Sequence, residues 1–304
     1  MTIGKAFKAG FGFLSVIPVG ITMEGIEALM KRLYMYPIVG FFLGILIGLA
    51  AFAASLFLPS PLIVIAIMLV TYGIVWFNHL DGVADMGDGM TAHGSLEKKR
   101  KALKDMALGI GGVAFTVLIM LFFYSSLSAL ESAAGEIYGA RILYGARMIS
   151  FAGFGLYSYV YTAVFSSGLS AAWGSAITAA SLMAATVILA ETCGKQSMLT
   201  IATFGKAFSE GLGSMTIAGG TRKNFLIGFL FTAIVSFGLL GLTGLAALLL
   251  SSISAWIILK VSNRHFEGVN GDGIGAANEV GRAVTIATVA VILFILTGGV
   301  PWML

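Results

Sequence analysis

The polar stretch that organises this chain reads Asn78-His79-Leu80-Asp81-Gly82-Val83-Ala84-Asp85-Met86-Gly87-Asp88-Gly89. Asp81, Asp85 and Asp88 are spaced i, i+4 and i+7, which places all three carboxylates on one face of a helix. Carboxylates this close repel one another unless a positive partner lies among them. Because carboxylate oxygens suit Mg²⁺, which is commonly shared with substrate phosphates, the pattern predicts a metal-diphosphate site. The alternative is a solvated polar loop with no chemical role.

The composition indicates a membrane protein. The chain has 304 residues, of which 58% are hydrophobic and only 11% charged, whereas soluble domains carry about 25% charged residues. Forty glycines and long unbroken apolar runs favour closely packed helices over a β-barrel. The net charge of +4 comes from lysines and arginines in short polar segments, a bias typical of cytoplasmic loops rather than of nucleic-acid binding. The single cysteine, Cys193, excludes an internal disulfide.

We predict an all-α, polytopic helical bundle with seven to eight transmembrane helices, forming one membrane-embedded transferase domain over residues 1–304. Residues 4–20 are expected to be interfacial or re-entrant, since Gly10, Gly12, Pro18 and Gly20 interrupt them. The polar segments 80–106, 194–224 and 260–282 are predicted to be cytoplasmic. The number of spans before segment 194–224 would place that segment outside, whereas its charges predict that it is cytoplasmic. This mismatch in parity indicates either that one of the apolar stretches does not cross the membrane or that a break occurs near Arg141 and Arg147. The expected spans are 34–58, 62–77, 108–130, 137–167, 170–192, two within 225–260, and 283–304.

A second polar segment, 262–282, contains Gly268, Gly271, Gly273 and Gly275, which suit a loop whose backbone N–H groups wrap a phosphate. Asp272 is a candidate to complete a metal site begun by Asp81 and Asp85. Arg264 is a candidate bidentate phosphate ligand, and Glu279 lies on the helical face of Asp272. The alternative is an ordinary connector followed by a capped helix that starts near Asp272.

Three further groups are candidates for contact with substrate. Lys195 follows the end of a predicted span, where its charge suits a transition state that gains phosphate charge. Arg100, Lys104 and Asp105 lie close to the acids in sequence, beside Lys98 and Lys99, which are expected to anchor the chain at anionic lipid headgroups. His79 is a candidate proton carrier or phosphate donor.

The motifs resemble those of the cobalamin synthase family, the adenosylcobinamide-GDP ribazoletransferases. The first motif is His79-x-Asp81-Gly82-x-Ala84-Asp85-x-x-Asp88-Gly89, followed by lysine-rich sequence and Met106-Ala107-Leu108-Gly109. The second is Gly271-Asp272-Gly273-Ile274-Gly275-Ala276-Ala277-Asn278-Glu279. One departure is Ala107, where the family often has a polar or basic residue.

The resemblance implies that the 3′-hydroxyl of α-ribazole, or of its 5′-phosphate, attacks the cobinamide-side phosphate of adenosylcobinamide-GDP and releases GMP. We expect Mg²⁺ on Asp81, Asp85 and Asp272, with Asp88 as general base and Asp85 and His79 as further catalytic groups. The expected location is the cell membrane, with no nucleic-acid partner and with self-association or contact with other cobalamin-assembly enzymes. The predicted substrate-binding residues are Asn78, Gly82, Gly89, Arg100, Lys104, Asp105, Lys195, Arg264, Gly273 and Glu279.

Two other classes of protein stay open on the sequence. One is another Mg²⁺-dependent membrane transferase acting on CDP-alcohol or prenyl diphosphate substrates. Against the CDP-alcohol type, Asp85 stands where that motif expects an arginine. The other class is a transporter, although the acids cluster at one face rather than at mid-span depth.

Overall fold

A computed structural model describes residues 2–144 and 171–297 of the chain. Over these residues the chain is α-helical, with eleven helices and no strands, which confirms the predicted all-α class. The helices are α1 (Ile3–Leu14), α2 (Met23–Met30), α3 (Met35–Phe57), α4 (Ser60–Val75), α5 (Asn78–Thr91), α6 (Leu96–Ala102), α7 (Ile110–Tyr144), α8 (Ala171–Phe204), α9 (Leu212–Gly219), α10 (Arg222–Phe266) and α11 (Gly271–Leu296).

Five helices in the described ranges are long and apolar enough to cross a bilayer, namely α3, α7, α8, α10 and α11. Helices α4 and α5 meet the same criterion only as a pair, and they are bent by 93° at the break between them. The predicted polytopic membrane architecture is therefore confirmed, and α5, which bears the acids, is not itself one of the five spans.

Helix α10 contains a break in its middle. Leu240 and Gly241 leave helical geometry, and Gly241 takes a positive φ of 56° that a glycine adopts without strain. At 45 residues the helix would extend to about 68 Å if straight, more than twice the hydrocarbon thickness. The break coincides with the predicted turn near Gly241 to Gly244, and it divides α10 into two segments of span length.

Small residues allow α3 to pack against α8 without intervening side chains. A Cβ on Gly40 would lie 2.8 Å from the carbonyl oxygen of Glu191, and one on Gly44 would lie 2.9 Å from the Cα of Ile188. Gly48 approaches the Ile188 side chain as closely. This row of glycines at four-residue spacing brings two backbones together, as small residues do in membrane helices.

Two predicted boundaries are wrong. The polar segment 80–106 is largely helical, as α5 and α6, in agreement with the helical spacing of its acids. Helix α8 continues from the expected end at 192 to Phe204, and α11 begins at Gly271 instead of 283. Polar residues were expected to end each span because water would solvate them. In α8 and α11, polar residues such as Lys195 and Glu279 are instead buried by neighbouring helices, so the helices continue through them.

The parity mismatch falls mostly on residues that the structure leaves undescribed. Helix α7 continues through Arg141 to Tyr144, so no break occurs at Arg141. Arg147 and residues 145–170 lie outside the described residues. The total of seven to eight transmembrane helices therefore stays a prediction.

Candidate active site

The acid-bearing helix starts at a sharp turn. Trp76 has a φ of 57°, in the left-handed region, where it ends α4 and redirects the chain into α5. Glycines then let α5 lie directly against its neighbours. A Cβ on Gly82 would be 2.5 Å from the carbonyl oxygen of Asp272, and one on Gly87 would be 2.7 Å from that of Gly111. These contacts fix α5 between the N-terminal ends of α11 and α7.

Asp81 and Asp85 line a cleft of about 550 Å³. Lys104, Asp105 and the ring of Phe77 also line it. The predicted face of α5 therefore borders a cavity, and two of the other residues expected to contact substrate, Lys104 and Asp105, line the same cavity. Its volume is within the usual range for ligand pockets, about 300–1,000 Å³.

Asp272 is close enough to Asp81 and Asp85 for their charges to interact. Burial, followed by repulsion from Asp272, Asp81 and Asp88, raises the pKa of Asp85 to about 7. Lys104 is also within electrostatic range of Asp272. Asp81 and Asp272 are 191 positions apart in sequence but lie in the same region of the structure. The acids of this region carry more negative charge than Lys104 neutralises.

This donor set has the chemistry that a hard divalent cation requires, with several carboxylate oxygens and an excess of negative charge. Within the described ranges, however, no three His, Cys, Asp or Glu side chains are arranged closely enough to hold a metal ion as they stand. The carboxylates that neighbour one another are therefore candidate ligands rather than a preformed coordination sphere.

Asp88 has a different environment from the other two acids of α5. Its Oδ2 accepts a hydrogen bond from the Gly109 amide at 2.8 Å, and its Oδ1 accepts one from the Gly112 amide at 2.7 Å. These amides belong to the start of α7, whose N-terminal N–H groups lack helical partners. Asp88 therefore anchors α7 beside the cleft, and both of its oxygens are engaged there.

A network of buried charges lies in α8 and α11, and sequence reasoning missed most of it. Arg282 donates through Nε to Glu191 at 2.5 Å and through its Nη1 to Glu279 at 2.6 Å. Lys195 donates to Asn278 at 2.8 Å, and its ammonium lies 3.3 Å from Glu191. The four charged side chains are at most 2% exposed.

This network corrects the placement of two predicted residues. Lys195 lies inside α8 rather than past the end of a span, and Glu279 accepts hydrogen bonds from Arg282 and from Tyr72 at 2.8 Å. The signal was available in the sequence as Glu-x3-Lys and Glu-x2-Arg pairs within apolar surroundings. Charges at such positions are usually paired and functional in membrane proteins.

His79 lies between the acid cleft and the charge network. It is 8% exposed, and its Nδ1 atom is buried with no hydrogen-bond partner among the described residues. Burial, together with the nearby charges of Lys195 and Arg282, lowers the pKa of His79 well below its usual range. His79 and Asn78 line a second cavity of about 220 Å³, which also borders Asp272.

Four other residues that were predicted to bind substrate do not line the cleft. Arg100 donates to the carbonyl oxygen of Phe266 at 2.7 and 3.0 Å, where it holds the end of α10. Gly89 packs against the Phe266 ring, and Gly273 donates its amide to the Asn270 side chain that caps α11. Arg264 is exposed near the end of α10 and lines neither cavity. The capped start of α11 matches the alternative interpretation of this segment.

The comparisons with known proteins agree with the motifs. The profile of the family described as cobalamin-5-phosphate synthase matches residues 6–189 and 154–290. Proteins named adenosylcobinamide-GDP ribazoletransferase from Methanosarcina mazei and Methanosarcina barkeri are each 46% identical, over 98% of this chain and 98% of theirs. The one from Methanococcoides burtonii is 40% identical over 97% of this chain and 94% of its own.

No solved structure matches the chain significantly. The two matched segments together span nearly all of the described helices, and the first of them contains the whole of α5. The resemblance stated from the two motifs is therefore confirmed: this chain belongs to the cobalamin-5-phosphate synthase family.

Proposed function

We propose that this protein is a membrane enzyme of the last step of cobalamin assembly, an adenosylcobinamide-GDP ribazoletransferase. In the proposed reaction, the ribose 3′-hydroxyl of α-ribazole, or of its 5′-phosphate, attacks the cobinamide-side phosphorus of adenosylcobinamide-GDP. A new P–O bond forms as the bond to the GMP leaving group breaks, and the hydroxyl proton passes to a base. Family membership and the names of the relatives support this assignment.

The observation that carries the proposal is the meeting of two acidic segments at one cleft. Asp81 and Asp85 line a cavity of about 550 Å³, and Asp272 lies within electrostatic range of both. Lys104 lines the same cleft. A diphosphate needs cationic partners and space for its two attached groups. The cleft provides that space, together with acids that could hold a metal ion and a lysine that could bind phosphate.

We propose that Asp81, Asp85 and Asp272 hold Mg²⁺. When bound, the ion would supply positive charge against the diphosphate oxygens and the departing GMP. Lys104, which lines the same cleft, then contributes positive charge to the same phosphates. Asp105 accepts a hydrogen bond from the Ala107 amide at 3.1 Å, which supports the segment that bears Lys104 and which needs no side chain at Ala107.

The base that receives the hydroxyl proton is open to a direct test. Asp88 is the predicted general base, but both of its carboxylate oxygens already accept amide hydrogen bonds. Its proposed catalytic role requires that at least one of these bonds opens in the substrate complex. His79, which burial and neighbouring cations keep neutral, is proposed to hydrogen-bond substrate rather than to carry charge.

We further propose that the enzyme lies in the cell membrane with the cleft facing the cytoplasm. The lysines and arginines of segment 97–104, next to the cleft, support this orientation through the positive-inside bias. Self-association and contact with other cobalamin-assembly enzymes stay predictions.

The test is GMP release by protein purified into nanodiscs, with adenosylcobinamide-GDP, α-ribazole and Mg²⁺. The proposal predicts GMP formation that requires all three, and loss of most activity in Asp81→Asn and Asp85→Asn. Metal binding is measured separately, by Mn²⁺ electron paramagnetic resonance, in which the same variants and Asp272→Asn should bind fewer or weaker ions. Turnover of CDP-alcohol or prenyl diphosphate substrates without GMP release, or substrate flux across vesicles, would instead support one of the alternative classes.

A further inference from the structure

The second cavity, of about 220 Å³, lies where α5 meets α11 and shares no lining residue with the acid cleft. Its walls come from six described helices and include Asn78 and His79 of α5, and Gly271 and Asp272 of α11. Phe13, Tyr36 and the start of α9 close it. A Cβ on Gly213 would be 2.4 Å from the Gly271 amide nitrogen, so α9 sits directly over the beginning of α11.

The cavity has an aromatic wall. The rings of Phe13 and Tyr36 are nearly parallel, with an interplanar angle of 21° and centroids 6.1 Å apart. Tyr36 has no exposed surface and its hydroxyl lies 3.4 Å from that of Thr216, so Tyr36 supports the partly exposed ring of Phe13 from behind. A fixed aromatic ring favours a flat apolar ligand, because ring contacts stabilise binding beyond the burial of area.

His79 lines this cavity, and its Nδ1 atom has no hydrogen-bond partner among the residues that the structure describes. A buried nitrogen that lacks a hydrogen bond destabilises the site, and a bound ligand group can remove that cost. Asn78 lines the same wall. Of the residues that line this cavity, Asp272 is the only charged one, so the space suits a neutral group and disfavours a phosphate.

The size and charge of the two cavities suit different substrates. The cavity of about 220 Å³ is smaller than a typical ligand pocket of about 300–1,000 Å³ and excludes a corrin ring. A fused two-ring heterocycle with its sugar is a smaller group with the required flat, neutral character. Asp272 borders this cavity and interacts with the acids of the other, so a sugar hydroxyl near Asp272 would face the diphosphate region.

We propose that this cavity is the binding subsite for the base and ribose of the attacking nucleoside, with His79 as a hydrogen-bonding residue and Phe13, supported by Tyr36, as the aromatic surface for the base. This inference rests on the proposed function, which supplies the nucleoside as second substrate.

The experiment compares one exposed residue at each cavity. Leu212 lines the smaller cavity and is 56% exposed, whereas Met106 lines the acid cleft and is fully exposed, so both positions accept tryptophan without burying it in the core. Leu212→Trp should raise the KM for α-ribazole by about ten-fold and leave the KM for adenosylcobinamide-GDP within about two-fold. Met106→Trp should show the opposite pattern.

A binding measurement separates this proposal from the reaction. Isothermal titration of α-ribazole alone into wild-type protein should show binding, which should weaken about ten-fold or more in His79→Ala and partly recover in His79→Asn. Unchanged nucleoside affinity in both His79→Ala and Leu212→Trp would overturn the subsite, even if GMP is released normally. Nucleoside binding that depends on His79 in a protein that releases no GMP would support the subsite and refute the proposed function.

Discussion

Replacing Arg282 by leucine tests whether the buried charge network holds the bundle together. Arg282 is 2% exposed and contacts Glu191 at 2.5 Å and Glu279 at 2.6 Å. Among the described residues, its loss leaves Glu191 with one charged partner, Lys195 at 3.3 Å, and leaves Glu279 with hydrogen bonds from Tyr72 and Asn278 but without an ion pair. Removing one member of a buried ion pair costs about 3–5 kcal/mol, and we expect a loss of this size.

The assay is SDS-driven unfolding in mixed micelles, followed by the fluorescence of the four tryptophans. Lys5→Met is the matched control, since it breaks an ion pair with Glu24 in which both side chains are more than half exposed; we expect no resolvable change there. The double variant Glu191→Leu with Arg282→Leu should lose less than the sum of the single losses, because it removes both partners together.

A loss in Arg282→Leu no larger than that of Lys5→Met would refute the reasoning. So would strict additivity of the Glu191 and Arg282 variants, because it would mean that the two groups do not interact in the folded protein.

Other perturbations test separate parts of the account. Gly44→Leu should destabilise the fold by about 1–3 kcal/mol or more through overpacking against Ile188, whereas Gly73→Leu, which has open space around it, should not; the same SDS titration measures both. Asp88→Ala should lower the free energy of unfolding by about 1–3 kcal/mol, because two amides at the start of α7 lose their acceptor. Asp88→Asn, which keeps one acceptor oxygen, should lower it less. If Asp88 is the general base, both variants should lose the same share of kcat. The folded-state pKa of Asp85, about 7, is above its ordinary value of 3.8, so the stability of metal-free protein should fall as pH rises through that interval. Asp85→Asn should therefore raise the melting temperature of metal-free protein at about pH 8 but not at about pH 3.5, below both pKa values, and an equal gain at both would contradict the repulsion.

The location of the site was predictable because spacing and chemistry agree at α5. Asp81 and Asp85 at i and i+4 require a helix to share a face, and the structure provides that helix beside a cleft. The nearness of Asp272 was predictable only as a hypothesis, since nothing local in either segment sets the distance between them. That distance depends on Gly82, which allows α5 to touch the Asp272 backbone.

The burial of Lys195 and Glu279 was indicated only by the Glu-x3-Lys and Glu-x2-Arg spacings within each helix, and not by local polarity. A charge near the end of an apolar run is normally solvated at the interface, and the polar segment after Glu191 fitted that pattern. Arg282 neutralises Glu191 and Glu279 at once, and this pairing across α8 and α11 makes burial tolerable. Pairing between distant helices leaves no periodic signal in one sequence.

The same limit applies to Arg100 and Asp88. Arg100 was predicted to contact substrate because it lies near the acids in sequence, and Asp88 was predicted to be the general base as one of the three acids on one helical face. In the structure, Arg100 satisfies the carbonyl at the end of α10 and Asp88 satisfies amides at the start of α7. Ends of helices need such partners, and which side chain provides them depends on the tertiary fold.

The most direct test of the shared acidic site is a double-mutant cycle on Asp81 and Asp272, which come from different helices. We would measure Mg²⁺-dependent GMP release for Asp81→Asn, Asp272→Asn and the double variant, with Glu97→Gln, an exposed acid outside the cleft, as control. If the two carboxylates hold one ligand, the double variant should be about as impaired as the worse single variant, since groups that act as a unit are not additive. Losses that multiply, or an Asp272→Asn variant as active as Glu97→Gln, would show that the two helices do not build one site.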